Sequence, residues 1–184
     1  SPAAPSALVD KDRVFVWFGS FGLLCYDHDG RELWRKPIPT PRTLYGTSTS
    51  PIAHRDKLIL VLDNDANLPR SRLSQSKIIA LHKTTGKLAW ETPRPFHRSG
   101  WSTPTVWRHG DTEELVVLGN GRLCGYDLST GQERWFVKGF SRETISSPVT
   151  GNGIVFASAS KRGGGGNAKV DPEPFWKSVI HFDQ

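Results

Sequence analysis

The chain has 184 residues, enough for one or two ordinary domains with a sizeable core. Its formal charge of +6 is spread over turns and strand ends without a run of like charges, which speaks against a nucleic-acid groove. No apolar stretch reaches the roughly 18 residues of a membrane-spanning helix, and 18 glycines, 13 prolines and seven tryptophans point to many turns and aromatic strands.

Taken in chain order, Ala7 to Val9 reads as a first short strand. Val14 to Phe18, Leu23 to Tyr26 and Glu32 to Lys36 follow it, separated by turns at Asp10 to Asp12, Gly19 to Gly22 and Asp27 to Gly30. Short β-branched and aromatic runs punctuated by Gly and Asp are the signs of an antiparallel meander. A second set reads Ile52-Ala53, Lys57 to Leu62, Lys77 to Leu81 and Lys87 to Glu91. The third set is Thr105 to Trp107, Glu114 to Gly119, Arg122 to Tyr126 and Glu133 to Val137. A fourth supplies Val149, Ile154 to Ala157 and Ser178 to Phe182, then stops before its outer strand. No helical periodicity competes.

The sets share a phrase that closes on tryptophan. It reads Ala80-Leu81-His82-Lys83-Thr84-Thr85-Gly86-Lys87-Leu88-Ala89-Trp90, and again Gly125-Tyr126-Asp127-Leu128-Ser129-Thr130-Gly131-Gln132-Glu133-Arg134-Trp135. An earlier copy, Cys25 to Trp34, is one residue shorter in its turn, and a fourth begins at His181-Phe182-Asp183. Ser50-Pro51, Thr103-Pro104 and Ser147-Pro148 mark the same register, with Ser6-Ala7 at the equivalent place in the first copy. Four strands recurring at this spacing make a β-propeller. The blades are expected at about 6–48, 49–101, 102–145 and, incomplete, 146–184. With no initiator Met and a broken last repeat, the chain reads as an excised or incomplete segment.

The phrase resembles the tryptophan-docking motif of the PQQ-like (pyrroloquinoline quinone) propeller family, and the resemblance covers nearly the whole chain. It implies an all-β fold of four-stranded antiparallel blades forming a partial ring. It also implies that Trp34, Trp90 and Trp135 tie consecutive blades, with Gly86 and Gly131 as the turn positions that receive them. His82 stands where the family has Asp. The resemblance further implies an exported protein, periplasmic or extracellular. An arc of this size would expose apolar blade faces that seek the remainder of a propeller, a protein partner or a second copy of the chain.

Candidate chemistry is sparse. Quinoprotein enzymes of this family carry PQQ and Ca²⁺ on the propeller axis, with vicinal cysteines and a set of carboxylate ligands. Here Cys25 and Cys124 stand two repeats apart, on adjacent phrase positions that face opposite ways in a strand, so a disulfide is not expected. Asp63, Asp65 and Asn67 alternate like the opening of a calcium loop, but Leu68 and Ser74 occupy the positions that need Gly and an acid. A polar strand-exit loop is the plainer reading. The Gly163 to Gly166 run lacks the Lys-Ser/Thr close of a phosphate loop and reads as a hairpin loop, the counterpart of the insertion from Asn64 to Ser76.

The segments leading into each inner strand are the best candidates for recognition, because in a propeller they reach the mouth of the central channel. Tyr45, Arg98, Trp101 and Thr144 would form a ligand rim there able to stack and hydrogen-bond. The alternative is that Tyr45 and Trp101 wedge between blades. The reading as a whole is a scaffold or binding module without catalysis or cofactor. A PQQ- and calcium-dependent dehydrogenase fragment and a carbohydrate or small-ligand site at the channel mouth stand as alternatives.

Overall fold

The computed structural model describes residues 5–43, 45–65, 75–140 and 144–159. Fourteen strands make up the described fold, and it is all-β. The first sheet contains β1 (Leu8–Asp10), β2 (Arg13–Phe18), β3 (Gly22–Tyr26) and β4 (Glu32–Lys36). The second contains β5 (Ile52–His54), β6 (Lys57–Leu62), β7 (Lys77–His82) and β8 (Leu88–Pro93). The third contains β9 (Thr105–His109), β10 (Thr112–Gly119), β11 (Arg122–Asp127) and β12 (Glu133–Lys138). A two-stranded sheet, β13 (Val149–Gly151) and β14 (Ile154–Phe156), follows. Each sheet is an antiparallel meander with its strands in chain order, and the ring is not closed. The expected strand at Ser178 to Phe182, the phrase at His181 to Asp183, the Gly163 to Gly166 run, most of the insertion from Asn64 to Ser76, and Asn67 lie outside the described residues.

Strand ends differ from the sequence reading where tight turns let pairing run further. β9 continues to His109 and β10 starts at Thr112, because Gly110 at φ 55° and Asp111 close the hairpin in two residues. Asn152 and Gly153, at φ 51° and 73°, do the same between β13 and β14.

One irregularity recurs in all three complete sheets. The register between the third and fourth strands shifts at Cys25/Tyr26, Ala80/Leu81 and Gly125/Tyr126. In each case one extra residue sits just before the tryptophan: Leu33, Ala89 or Arg134. A β-bulge bends the strand and re-aims the next side chain, and each bulge here immediately precedes the repeat's Trp. The turn ahead of the bulge is built locally. Asp127 accepts from the backbone N–H groups of Ser129 and Thr130, both at 2.8 Å. Asp27 caps the shorter first turn through the N–H groups of Asp29 and Arg31. In the second sheet His82 cannot make that cap. Its ring faces Asp56 at 3.2 Å instead, and the turn is held by Gly86 N–H donating to His82 O.

The sheets pack face to face in chain order. Phe15, Trp17, Leu23 and Cys25 of the first sheet meet Leu58, Leu60, Leu62, Ile79 and Leu81 of the second. The opposite face of the second sheet, with Ile59, Val61, Ile78 and Ala80, packs on Leu115, Val117, Cys124 and Tyr126 of the third. Trp107, Val116, Leu118 and Leu123 then pack toward Val155 and Ala157. The second sheet is therefore covered on both sides, and β6 and β7 read as continuous apolar runs. The first sheet is covered on one. Val14, Val16, Phe18, Leu24 and Tyr26 on its other face are only half-buried.

Candidate functional site

Two seams between sheets are fastened by the repeat tryptophans. Trp34 leaves β4 and lies against Gly86, where an added Cβ would come within 2.8 Å of the indole ring, while its Nε1 donates to Lys83 O at 2.9 Å. Trp90 repeats the arrangement one sheet on. It lies over Gly131 and donates to Leu128 O at 3.2 Å, and Thr92 Oγ1 donates to Gly131 O at 2.6 Å. Gly86 and Gly131 take φ values of 66° and 75°, and both lack the Cβ that would strike the ring. Trp135 is placed differently. Its Nε1 donates to Glu114 Oε2 at 2.9 Å within its own sheet, and its ring covers Gly125.

Two further fasteners carried no signal in the repeat phrase. Trp107 on β9 donates to Gly153 O at 2.9 Å and meets the edge of Trp135 at 6.0 Å. Arg13 crosses from the first sheet to Lys83 O and Thr84 O, each at 3.2 Å. A bridge from an inner or second strand to a distant carbonyl has no short-range spacing to betray it.

Three of the four expected rim residues come together. The rings of Tyr45 and Trp101 are 5.4 Å apart at 50°, Trp101 Nε1 donates to Gly46 O at 3.0 Å, and Trp101 N donates to Thr144 O at 3.0 Å. Tyr45 is 64% exposed, Trp101 half-buried and Thr144 fully buried. Arg98 lies half-buried on the segment that leads into Trp101.

Beneath this rim is a buried polar cluster. Arg94 sends Nη2 to within 3.5 Å of Asp63 Oδ2 and donates to His97 Nδ1 at 2.9 Å. Both side chains of the ion pair are sealed from solvent, Arg94 at 0% and Asp63 at 3% exposure. Burial pushes the Asp63 carboxyl up to about 6, opposed by the guanidinium. Burial, reinforced by Arg94, drives the His97 imidazole down to about 2, so the ring is neutral. Since guanidinium can only donate, His97 Nδ1 accepts and its proton sits on Nε2. That N–H faces Cys124 Sγ at 3.6 Å. His97, Cys124 and Glu133 offer ligand atoms within 4.8 Å of one another, but the protonated Nε2 turns a donor, not a lone pair, toward that space. Burial also raises the Cys124 thiol to about 11.

Asp65 is tied down separately. Ser99 gives it a backbone N–H at 3.1 Å and a short hydroxyl bond, and Asp65 N donates to Arg42 O at 2.6 Å. Asp63 and Asp65 thus hold different partners, a guanidinium and a serine. The two cysteines are free, buried and in different sheets.

The family model PQQ_2, described as outer membrane protein assembly factor BamB, matches residues 2–173. The chain belongs to this family. Among solved structures it is similar to BamB from Moraxella catarrhalis, at 13% identity and a TM-score of 0.62, over 84% of this chain and 46% of that one. It is also similar to the quinohemoprotein alcohol dehydrogenase from Comamonas testosteroni, at 13% identity and a TM-score of 0.60, over 84% of this chain and 32% of that one. A europium-containing methanol dehydrogenase follows at 12% identity and a TM-score of 0.52, covering 72% of this chain and 31% of the other. No curated protein matches. The BamB-family chain described here thus spans less than half the length of these structures, and the likeness is one of fold. No helix among the described residues is long and apolar enough to cross a membrane.

Proposed function

We propose that this BamB-family chain is a non-catalytic scaffold, an arc of propeller whose work is done by its surfaces. The observation that carries the reading is the asymmetry of burial between sheets. The second sheet buries both faces, whereas the first leaves Val14, Val16, Phe18, Leu24 and Tyr26 half-exposed on one of its two. Apolar area of this kind is worth about 25 cal/mol per Å² when covered. Its occupant is further blade structure, a partner protein or a second copy.

The polar residues favour this reading over the quinoprotein alternative. A calcium-bound quinone needs carboxylate oxygens turned toward the metal and, in the enzymes, adjacent cysteines. Here Asp63 faces a buried guanidinium, Asp65 accepts from Ser99, and Cys25 and Cys124 lie in separate sheets. Those residues do not fit the group. The family's description as an outer-membrane assembly factor supports an exported site of action, periplasmic or extracellular.

A second reading has its own observation. The Tyr45–Trp101 pair, with Tyr45 64% exposed, offers an aromatic surface to a carbohydrate or small polar ligand.

The test combines light scattering of the purified chain with a titration of PQQ and Ca²⁺ followed by quinone absorbance. The scaffold reading expects association that ignores both ligands. Saturable, calcium-dependent quinone binding overturns it.

A further inference from the structure

On the third sheet an arginine is clamped between two phenylalanines. Arg122 opens β11, and its guanidinium carbon stands 4.8 Å from the ring centre of Phe96 and 4.6 Å from that of Phe136. Lys138, the register partner of Arg122 across β11 and β12, brings its ammonium to 5.6 Å from the Phe136 ring. Phe96 comes from the segment that follows β8, so the clamp bridges the second and third sheets.

This is an unusual disposition for surface groups. Phe96 is 63% exposed and Phe136 46% exposed. Among the described residues no carboxylate reaches ion-pair distance of Arg122 or Lys138. Both rings lie within cation–π range of the guanidinium, and its N–H edge has no hydrogen-bond partner among the described residues. That edge is a planar fork matching a carboxylate, which accepts two parallel hydrogen bonds from it. The flanking rings supply apolar contact beside the charge, the pairing of aromatic and arginine found at the centre of protein interfaces.

We infer that the Phe96–Arg122–Phe136 clamp, with Lys138 beside it, is an anchor for an acidic segment of a partner protein. The inference rests on the scaffold reading in taking the partner to be a protein. Charge complementarity chooses the occupant: two cations that no described carboxylate pairs call for carboxylates. Two cations at one spot are too few and too local for a nucleic-acid track. They are likewise few for a lipid surface, where each basic residue contributes only about 1 kcal/mol.

The experiment is an NMR titration of the whole chain with the hexapeptide Asp-Glu-Phe-Asp-Glu-Leu, read at the backbone amide resonance of Lys138, the register partner of Arg122. Its Asn/Gln counterpart and phosphatidylglycerol vesicles serve as comparison probes. Saturable movement of that resonance by the acidic peptide is expected, with affinity reduced about tenfold or more for the uncharged peptide and in Arg122→Gln. Phe136→Leu should also weaken binding, and equal melting temperatures of Arg122→Gln and wild type serve as the folding reference. Equal binding of the two peptides, no binding of the acidic one, an unchanged Arg122→Gln, or Arg122-dependent binding to vesicles alone each overturns the inference. The quinone titration does not involve Arg122, so failure here is distinguishable from failure of the scaffold reading.

Discussion

The indole of Trp34 rests on Gly86 of the next sheet and donates to Lys83 O at 2.9 Å, so one side chain both fills and hydrogen-bonds the seam. Trp34→Ala should cost about 3–5 kcal/mol, as large-to-small changes of packed tryptophans do. Trp34→Phe keeps much of the ring and should lose less, with the missing hydrogen bond worth about 1 kcal/mol. Urea unfolding measures both. Equal losses would mean that the ring contributes little beyond its N–H.

Gly131 and Gly30 offer a controlled comparison. Both have positive φ, 75° and 82°, but a Cβ on Gly131 would come within 2.4 Å of Trp90 and of Thr92 Oγ1, whereas Gly30 has open space around it. Gly30→Ala should cost only the backbone strain, about 1–2 kcal/mol. Gly131→Ala adds an overlap of about 1–3 kcal/mol. Similar unfolding midpoints for the two variants would show that the Trp90 seat is soft.

Asp63 and His97 pull the acid side of the stability curve in opposite directions. The folded Asp63 pKa, about 6, lies above its unfolded 3.8, so its contribution is full below 3.8 and is lost as pH rises through 6. The folded His97 pKa, about 2, lies below its unfolded 6.5, so its contribution is full above 6.5 and falls away as pH drops. Between pH 3.8 and about 6, where the two oppose, Asp63→Asn should steepen the loss of stability on acidification, and His97→Gln should make it shallower. Chemical denaturation at a series of pH values decides. Parallel curves for wild type and both variants would refute the assignment.

Both thiols should be silent in the folded chain. Cys25 and Cys124 are buried, and burial raises both pKa values, that of Cys124 to about 11. A thiol-specific chromophore should therefore react only after denaturant is added, and then with two equivalents. Rapid labelling of the native protein would show that the seam around His97 opens.

Trp101→Ala separates the two roles weighed for the rim. Its ring is half-buried, and its hydrogen bonds join Gly46 and Thr144 across three segments. A loss of about 1–3 kcal/mol with a cooperative transition retained is expected. Collapse of near-ultraviolet circular dichroism would make Trp101 a wedge essential to the fold.

The four-stranded repeat was legible because two periodicities coincide, side-chain alternation within strands and a Trp-closed turn between them. Even the shortened turn at Asp27 to Gly30 keeps the same bulge before Trp34. The polar cluster was not legible. Arg94 follows Pro93 in a stretch that reads as an exposed loop, and arginine is among the residues least often fully buried. Only the pairing of β6, β7 and β8 within the second sheet sets it beside Asp63, with His97 three residues on. The Phe96 and Phe136 clamp escaped because it is assembled from two repeats. Tyr45 and Trp101 were chosen from chain position, since the segments leading into inner strands gather at one place; Arg98 was chosen likewise, and the described contacts centre on its neighbours.

Three indoles and one guanidinium that bridge neighbouring sheets end on main-chain oxygens: Trp34 on Lys83, Trp90 on Leu128, Trp107 on Gly153, Arg13 on Lys83 and Thr84. A carbonyl is present whatever residue carries it. The receiving side of each joint is thus free to drift through lysine, leucine or glycine without loosening, and only the donor, with the glycine seat under Trp34 and Trp90, need be kept. Such a joint lets shape outlast sequence, in keeping with a fold still recognisable at 13% identity.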